Sequence, residues 1–166
     1  MPISLSIGKV LGAALLGAAL FAAGCANQQK ALDGSLAAGA ATPGSAQDFQ
    51  VNVGDRVFFE TDSSSLTPQG RATLDRQAQW LTQYPNYTFT MEGHADERGT
   101  REYNLALGAR RSTAARDYLI SRGIAANRMR TISFGKERPV AVCHDISCWS
   151  QNHRAVTVLV GPQSLE

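Results

Sequence analysis

Charged side chains that suit ligand binding are concentrated in residues 92–111. Asp96 follows a predicted strand, and Arg111 stands fifteen residues later on a predicted helix. A third charged residue, Asp62, lies in a Ser-rich loop after an earlier predicted strand. A carboxylate beside a guanidinium can hold a zwitterion, because the carboxylate accepts from an ammonium and the guanidinium donates two parallel hydrogen bonds to a carboxylate. The combination predicts a binding site for a ligand that carries both charges.

The charge of the chain is nearly balanced, with 16 basic and 14 acidic residues among 166. That balance argues against electrostatic binding to nucleic acid, which requires a clustered basic face. No Ser or Cys stands in the context of a nucleophile elbow or triad, and no His-Glu-x-x-His motif offers a zinc site. A hydrolase that used His94, Asp96 and Glu97 is therefore the weaker hypothesis beside a binding module. We assign no catalytic residue and expect no cofactor.

Alternating strand and helix patterns position these charged residues. Thr67 and Pro68 have the residue types of an N-cap and a first helical position, and Gly123 fits the end of a second helix. The predicted strands are residues 55–60, 88–92, 129–134 and 155–160, and the predicted helices are 68–83 and 104–122. The order β-α-β-α-β-β predicts an α/β (α+β) two-layer sandwich. Right-handed crossovers then place both helices on one face of a four-stranded mixed sheet.

The loops after the first two strands carry Asp62 and Asp96. If these strands are parallel neighbours, both loops lie at the carboxyl edge of the sheet, where α/β folds bind ligands. We therefore expect Asp62, Asp96 and Arg111 to share one crevice. The last strand is apolar, so we expect it to be buried, and residues 135–150 are expected to form a long loop.

The N-terminal sequence is typical of an exported protein. Residues 1–24 hold one charge, Lys9, before a short run rich in Ala and Gly, which fits a cleaved signal peptide better than a spanning helix. The stretch LFAAGC, ending at Cys25, resembles a bacterial lipobox, so Cys25 is the expected lipidation site and first mature residue. Several acyl chains on one cysteine form a stable anchor, because each buried methylene contributes about 0.8 kcal/mol. Ala26 at the second mature position resembles the pattern of lipoproteins exported to the outer membrane.

Three regions follow from these patterns: a signal peptide over residues 1–24, a lipidated cysteine and flexible tether over 25–50, and a folded domain over 51–166. Residues 37–46 contain no large apolar side chain, so they bury too little surface to offset the entropy of ordering. An alternative is an inner-membrane stator, which would require residues 1–24 to persist as a spanning helix.

Residues 92–111 read EGHADERGTREYNLALGARR, and residues 152–156 read NHRAV. The first motif closely resembles the signature of the OmpA-like peptidoglycan-binding domain, in the variant of a lipoprotein branch of that family. The second resembles the start of the family's last strand. The resemblance covers about residues 51–160. It implies a non-catalytic domain that binds peptidoglycan at the periplasmic face of the outer membrane, with TolB and other Tol proteins as partners and a role in envelope integrity and cell division.

The resemblance also implies roles for individual residues. Asp96 and Arg111 hold the free end of a diaminopimelate side chain, which carries an ammonium and a carboxylate. The other residues expected to line the peptidoglycan-binding cleft are Thr61, Asp62, Ser64 and Leu107. Thr61 stands where family members often have an aromatic residue.

Three further polar residues near the motif are interpreted as structural. We expect His94 to support the fold and Asn104 to cap a helix or fix a loop. His153 occupies a position where the family usually has Arg. We expect this exchange to change the surface locally without adding an activity.

Cys143 and Cys148 bracket four residues near the last strand. In an exported protein a disulfide between them is favoured. A metal site formed by Cys143, His144, Cys148 and His153 is the alternative, but the spacing matches no common zinc pattern. We therefore predict a disulfide and no metal.

Overall fold

The computed structural model describes residues 41–161. The predicted signal peptide, Cys25 and the first part of the predicted tether lie outside the described residues, so lipidation of Cys25 stays a prediction. Over residues 41–161 the structure contains no helix that combines the length and the apolar character needed to cross a membrane.

Four α-helices and a four-stranded sheet make up the described part of the chain. The elements in chain order are α1 (Ala46–Asp48), a wider helical turn (Phe49–Gly54), β1 (Arg56–Phe58), α2 (Pro68–Gln83), β2 (Thr88–His94), α3 (Arg101–Ser121), a 3-10 turn (Ala126–Arg128), β3 (Met129–Gly135), α4 (Ile146–Asn152) and β4 (Arg154–Val160). This arrangement confirms the predicted α+β class with a mixed sheet.

The strand order in the sheet is β1-β4-β2-β3. β2 and β3 are parallel, whereas β4 is antiparallel to both of its neighbours, β1 and β2. The expectation that the first two strands are neighbours is therefore wrong, because β4 lies between them. They still run in the same direction, so their carboxyl ends, and the loops with Asp62 and Asp96, reach the same edge of the sheet.

Side-chain caps determine where the two long helices begin. The Thr67 hydroxyl accepts a hydrogen bond from the backbone N–H of Gly70 at 2.9 Å, with Pro68 at the first helical position, as predicted. α3 begins three residues earlier than predicted, at Arg101, because Thr100 caps it by accepting from the N–H of Tyr103 at 3.2 Å. Gly123 follows α3 with φ of +92°, which confirms it as the residue that ends the helix.

Two elements differ from the predicted pattern. Residues 146–152 form α4, which begins within the stretch 135–150 predicted to be a loop, since Asp145 caps this helix by accepting from the N–H of Ser147 at 2.8 Å. β4 alternates in burial over its second half: Ala155 and Thr157 are buried on the face that contacts the helices. Val158 and Val160 lie on the opposite face and are exposed, because a two-layer fold leaves one side of its sheet open to solvent.

The packed unit begins before residue 51. Phe49 is fully buried and its ring lies edge-on to Trp80 at a centroid distance of 4.9 Å. Residues 46–50, predicted as part of the tether, are therefore ordered against the core. The buried apolar cluster is Phe49, Val57, Phe59, Leu74, Ala78, Trp80, Leu81, Phe89, Met91, Ala115, Leu119, Ile124, Met129 and Ala155. A chain that starts at Ala41 contains this whole core and forms a compact unit, which is the property expected of an independently folding domain.

Candidate functional site

A cleft of about 300 Å³ opens at the carboxyl ends of β1 and β2. The loop after β1, the loop between β2 and α3, the first turns of α3 and the residue before β4 enclose it. Its lining residues are Thr61, Asp62, Ala95, Asp96, Arg98, Gly99, Tyr103, Asn104, Leu107 and His153. Four of the six predicted cleft residues, Thr61, Asp62, Asp96 and Leu107, are among them, whereas Ser64 and Arg111 lie outside the lining.

Asp96 is the most strongly bound acidic side chain of the cleft. It is 6% exposed. Its carboxylate accepts from the backbone N–H of Arg98 at 2.8 Å and from the Arg98 guanidinium at 3.0 and 2.6 Å. Burial opposes ionisation of Asp96, but the hydrogen bonds from Arg98 and His153 outweigh it and hold the pKa of this carboxyl well below its usual range. Asp96 therefore presents a full negative charge to the cleft at neutral pH.

His153 lies in the wall of the cleft, against Asp96. Its Nε2 atom is 2.5 Å from Oδ2 of Asp96, and the residue is only 3% exposed. The expectation of a local surface difference at His153 is therefore wrong. The residue directly before β4 points inward to the cleft because β4 lies between β1 and β2, an arrangement that the sequence pattern did not reveal.

Asp62 supplies a second, exposed carboxylate to the lining of the cleft. Its backbone is in the left-handed region, with φ of +57°, a conformation that Asp tolerates better than most residues. The Tyr103 hydroxyl donates a hydrogen bond to its Oδ1 atom. That hydrogen bond links the β1 loop to the first turn of α3 and fixes Asp62 within the cleft.

Arg111 lies beneath the cleft rather than in its lining. The residue is fully buried, and its guanidinium donates to the backbone oxygens of Ser63 at 2.8 Å, His94 at 2.8 Å and Glu60 at 3.1 Å. Burial lowers its pKa to about 10, opposed by the nearby charges of Asp96 and Asp62. Arg111 thus connects the loop that carries Asp62 to the strand end that precedes Asp96.

Close backbone packing positions α3 against β2. A Cβ atom added at Gly108 would lie 2.8 Å from the carbonyl oxygen of Gly93, and one added at Gly93 would overlap the Gly108 carbonyl. These two glycines allow the helix to approach the strand closely. The approach sets the distance between Leu107 on α3 and Ala95 and Asp96 after β2.

Several residues of the site were not predicted as ligand contacts. Arg98, Gly99 and Tyr103 stand inside the motif of residues 92–111, and their place in this motif is the sequence feature that could have identified them as cleft residues. Asn104 lines the cleft and also donates to the carbonyl of Arg98 at 2.5 Å, which places it in the expected loop-fixing role. His94 lies outside the cleft, where its ring stacks on Phe134 at 5.7 Å.

The cysteine pair borders the site through α4. Cys143 and Cys148 form a disulfide, as predicted, with Cα atoms 5.6 Å apart, so their sulfurs are not available to a metal ion. Trp149 follows Cys148 directly. Its indole N–H donates to Glu97 at 2.6 Å, and its ring lies under the Arg98 guanidinium.

Comparisons with known proteins agree with the fold. Residues 58–152 match the model of the OmpA family. A peptidoglycan-associated lipoprotein of Rhizobium meliloti (strain 1021) is 70% identical over 146 residues, which cover 86% of this chain and 83% of the relative. One from Agrobacterium fabrum is 66% identical over 148 residues, covering 86% and 84%. The crystal structure of the peptidoglycan-associated lipoprotein from Burkholderia pseudomallei aligns with a TM-score of 0.62 at 43% identity, over 64% of this chain and 90% of that one.

Proposed function

The chain belongs to the OmpA family and is a structural protein rather than an enzyme, and from this premise we propose that its cleft binds peptidoglycan at the free diaminopimelate end of a stem peptide. This end carries an ammonium and a carboxylate on one carbon. The ligand would be held by charge and hydrogen bonds, without any change in its covalent bonds.

The observation that carries the proposal is the buried, ionised carboxylate of Asp96 in an open cleft. In the structure this carboxylate already binds a cation, the guanidinium of Arg98. A ligand ammonium is also a cation that donates hydrogen bonds, and Asp62 offers a second carboxylate in the same cleft. The ammonium therefore has two possible acidic partners in one cleft.

The ligand carboxylate needs a guanidinium; Arg98 lines the cleft and Arg111 lies buried beneath it. Arg98 uses Nε and Nη2 for Asp96, and within residues 41–161 its Nη1 makes no hydrogen bond, so that edge is available to a ligand. Arg111 donates three of the five N–H groups of a guanidinium to backbone oxygens. We propose Arg111 as the second partner, with the added condition that the loop at Ser63 must move aside to expose it.

A lipid anchor at the N-terminus would link the wall-binding cleft to the outer membrane. Lipid on Cys25 would attach the chain to the outer membrane, while the cleft binds the wall. Two attachments joined by a tether gain from effective concentration, so each can be weak. TolB and other Tol proteins are the proposed protein partners, and envelope integrity and cell division are the proposed roles of the link.

Sedimentation with purified cell-wall sacculi tests the wall-binding step. The chain from residue 41 to 166 is mixed with diaminopimelate-type sacculi, centrifuged and quantified in pellet and supernatant. We expect the wild type to sediment and Asp96→Asn to stay largely in solution. Asp117→Asn is the matched control, because Asp117 is an exposed aspartate on α3 outside the cleft, and it should sediment like the wild type.

A second wall type tests the ligand chemistry. Sacculi in which lysine replaces diaminopimelate retain the ammonium but lack the second carboxylate, so they should bind much less protein. Wild type that remains in the supernatant with diaminopimelate-type sacculi contradicts wall binding. Equal binding to both wall types contradicts the zwitterion assignment, and release of soluble wall fragments contradicts the non-catalytic role.

A further inference from the structure

A cation–aromatic contact connects the cleft to a helix outside its lining. The guanidinium carbon of Arg98 lies 3.9 Å from the centroid of the Trp149 ring. On its other side Arg98 binds the carboxylate of Asp96. The Trp149 indole N–H donates to Glu97, the residue between Asp96 and Arg98. Trp149 thus contacts both the side chain of Arg98 and the loop that carries it.

The direction of Trp149 depends on two local restraints. α4 has seven residues, and a helix of that length is not stable without further contacts. The disulfide joins Cys148, directly before Trp149, to Cys143 in the preceding loop. Asp145 caps the helix through its side chain, and its carbonyl accepts from the N–H of Trp149 at 3.1 Å. These restraints hold the indole ring against Arg98.

We propose that Trp149 is a positioning residue of the cleft: its ring holds the Arg98 guanidinium beside Asp96, and the Cys143–Cys148 disulfide keeps the ring in place. The effect on ligand affinity rests on the proposed function, whereas the positioning of Arg98 is a property of the free chain. A disulfide-bonded helix outside the cleft thereby contributes to binding.

The consequence for binding follows from the exposure of Arg98. Its side chain is 42% exposed, so without the ring it is restrained mainly by its hydrogen bonds to Asp96, and ligand binding has to order it further. A cation–aromatic contact at a partly exposed position corresponds to roughly two- to fivefold in an equilibrium constant. Loss of Trp149 should weaken ligand binding by about that factor, while Asp96 keeps its own charge.

Nuclear magnetic resonance of the arginine side chains tests the positioning directly. The Nε–H signal of Arg98 is assigned in ¹⁵N-labelled residues 41–166 by its loss in Arg98→Lys. In Trp149→Ala we expect this signal to move toward that of a free arginine and to sharpen. Trp149→Phe keeps a ring and should lie between the two. Ile146→Ala is the control, because Ile146 is an exposed apolar residue of the same helix, and it should leave the signal unchanged.

The affinity is measured on the same variants by titration with a soluble muropeptide that ends in diaminopimelate. We expect a weakening of about two- to fivefold in Trp149→Ala, a smaller one in the double variant Cys143→Ser/Cys148→Ser, and none in Ile146→Ala. An unchanged Arg98 signal in folded Trp149→Ala overturns the positioning role. If Trp149→Ala does not fold, an unchanged Arg98 signal in the double serine variant overturns it instead. An altered Arg98 signal with wild-type affinity overturns its part in binding. A wild type that does not bind the muropeptide overturns the proposed function and the affinity effect, while the Arg98 signal still decides the positioning.

Discussion

The imidazole of His153 and the carboxylate of Asp96 form a buried pair, with Nε2 and Oδ2 2.5 Å apart. Both residues belong to the wall of the cleft, one directly before β4 and the other after β2. Asp96 therefore keeps its charge through contacts with two parts of the chain: Arg98 in its own loop, and His153 directly before β4. Removal of either contact leaves a buried carboxylate with fewer donors.

The His153–Asp96 pair should contribute to stability. In His153→Leu, Asp96 loses a hydrogen-bonding partner, so its pKa should rise and the free energy of unfolding at pH 7 should fall by about 1–3 kcal/mol. A lowered carboxyl pKa stabilises the fold above the unfolded value of about 3.9, and this stability is lost as the pH falls below it. The difference between variant and wild type should therefore shrink in acid. Urea unfolding at pH 7 and pH 3 measures both effects.

His144→Leu is the control for that experiment. The His144 side chain is 93% exposed, so its replacement should change the free energy of unfolding by less than about 0.5 kcal/mol. Equal stability of the two variants at pH 7 would show that the His153–Asp96 contact contributes nothing to the fold.

Arg111 should be required for the fold as well as for the site. A lysine at this position cannot reach three separate backbone oxygens with one compact ammonium, so Arg111→Lys should lose about 2–4 kcal/mol of unfolding free energy. Arg110→Lys, at the exposed neighbouring position, should stay within about 0.5 kcal/mol of the wild type. Chemical denaturation compares them. Wild-type stability in Arg111→Lys would mean that its hydrogen bonds to the loop after β1 and to the end of β2 contribute little, and that Arg111 acts mainly on the ligand.

Gly108 should be intolerant of even a methyl group. Because an added Cβ would lie 2.8 Å from the Gly93 carbonyl oxygen, Gly108→Ala should push α3 away from β2 and lower the unfolding free energy by about 1–3 kcal/mol. Binding to sacculi should weaken too, since Leu107 moves with the helix. Among residues 41–161, nothing lies within 4 Å of a Cβ atom added at Gly161, so Gly161→Ala should be neutral in both assays. A neutral Gly108→Ala would show that the helix–strand distance can adjust without cost.

Much of the fold followed from local sequence signals. The caps at Thr67 and Gly123 were visible because the residue types themselves form the cap. Asp62 and Asp96 were expected in one crevice because strand ends in an α/β sheet converge, and this held even though β4 separates β1 from β2. Strand order was less predictable, since pairing between distant segments leaves no periodic trace in either strand.

The remaining features depend on contacts that sequence patterns do not encode. The seven residues of α4 make only about two turns, too few to show a repeating apolar pattern, and their order rests on the disulfide and the Asp145 cap. Arg111 binds backbone oxygens, which every residue has, so its partners could not be inferred from side-chain types. His153 enters the site only because of the position of β4.

Phe49 should be a stabilising residue of the folded domain. It is fully buried against Trp80, so Phe49→Ala should lower the unfolding free energy by about 3–5 kcal/mol. Val51→Ala, at a position 69% exposed, should be nearly neutral. Thermal and urea unfolding of residues 41–166 measure the difference. If Phe49→Ala were neutral, Phe49 would not belong to the stable core, and the domain would begin near residue 51, as the sequence pattern predicted.

His94 should make stability fall between pH 6.5 and pH 4. Burial lowers its pKa to about 4, and the charges of Arg154 and Arg138 add to this, while Glu92 Oε2, 3.6 Å from its Nε2, is the acidic group that faces it. The unfolded chain takes up the proton near pH 6.5 and the folded chain near pH 4, so the stability present above pH 6.5 is lost across that window, by roughly 1–3 kcal/mol. His94→Phe removes the titrating group and keeps a ring to stack on Phe134. Urea unfolding at several pH values should show a flatter profile for His94→Phe and an unchanged one for His144→Gln. An equally steep profile in His94→Phe would assign the loss of stability to another group.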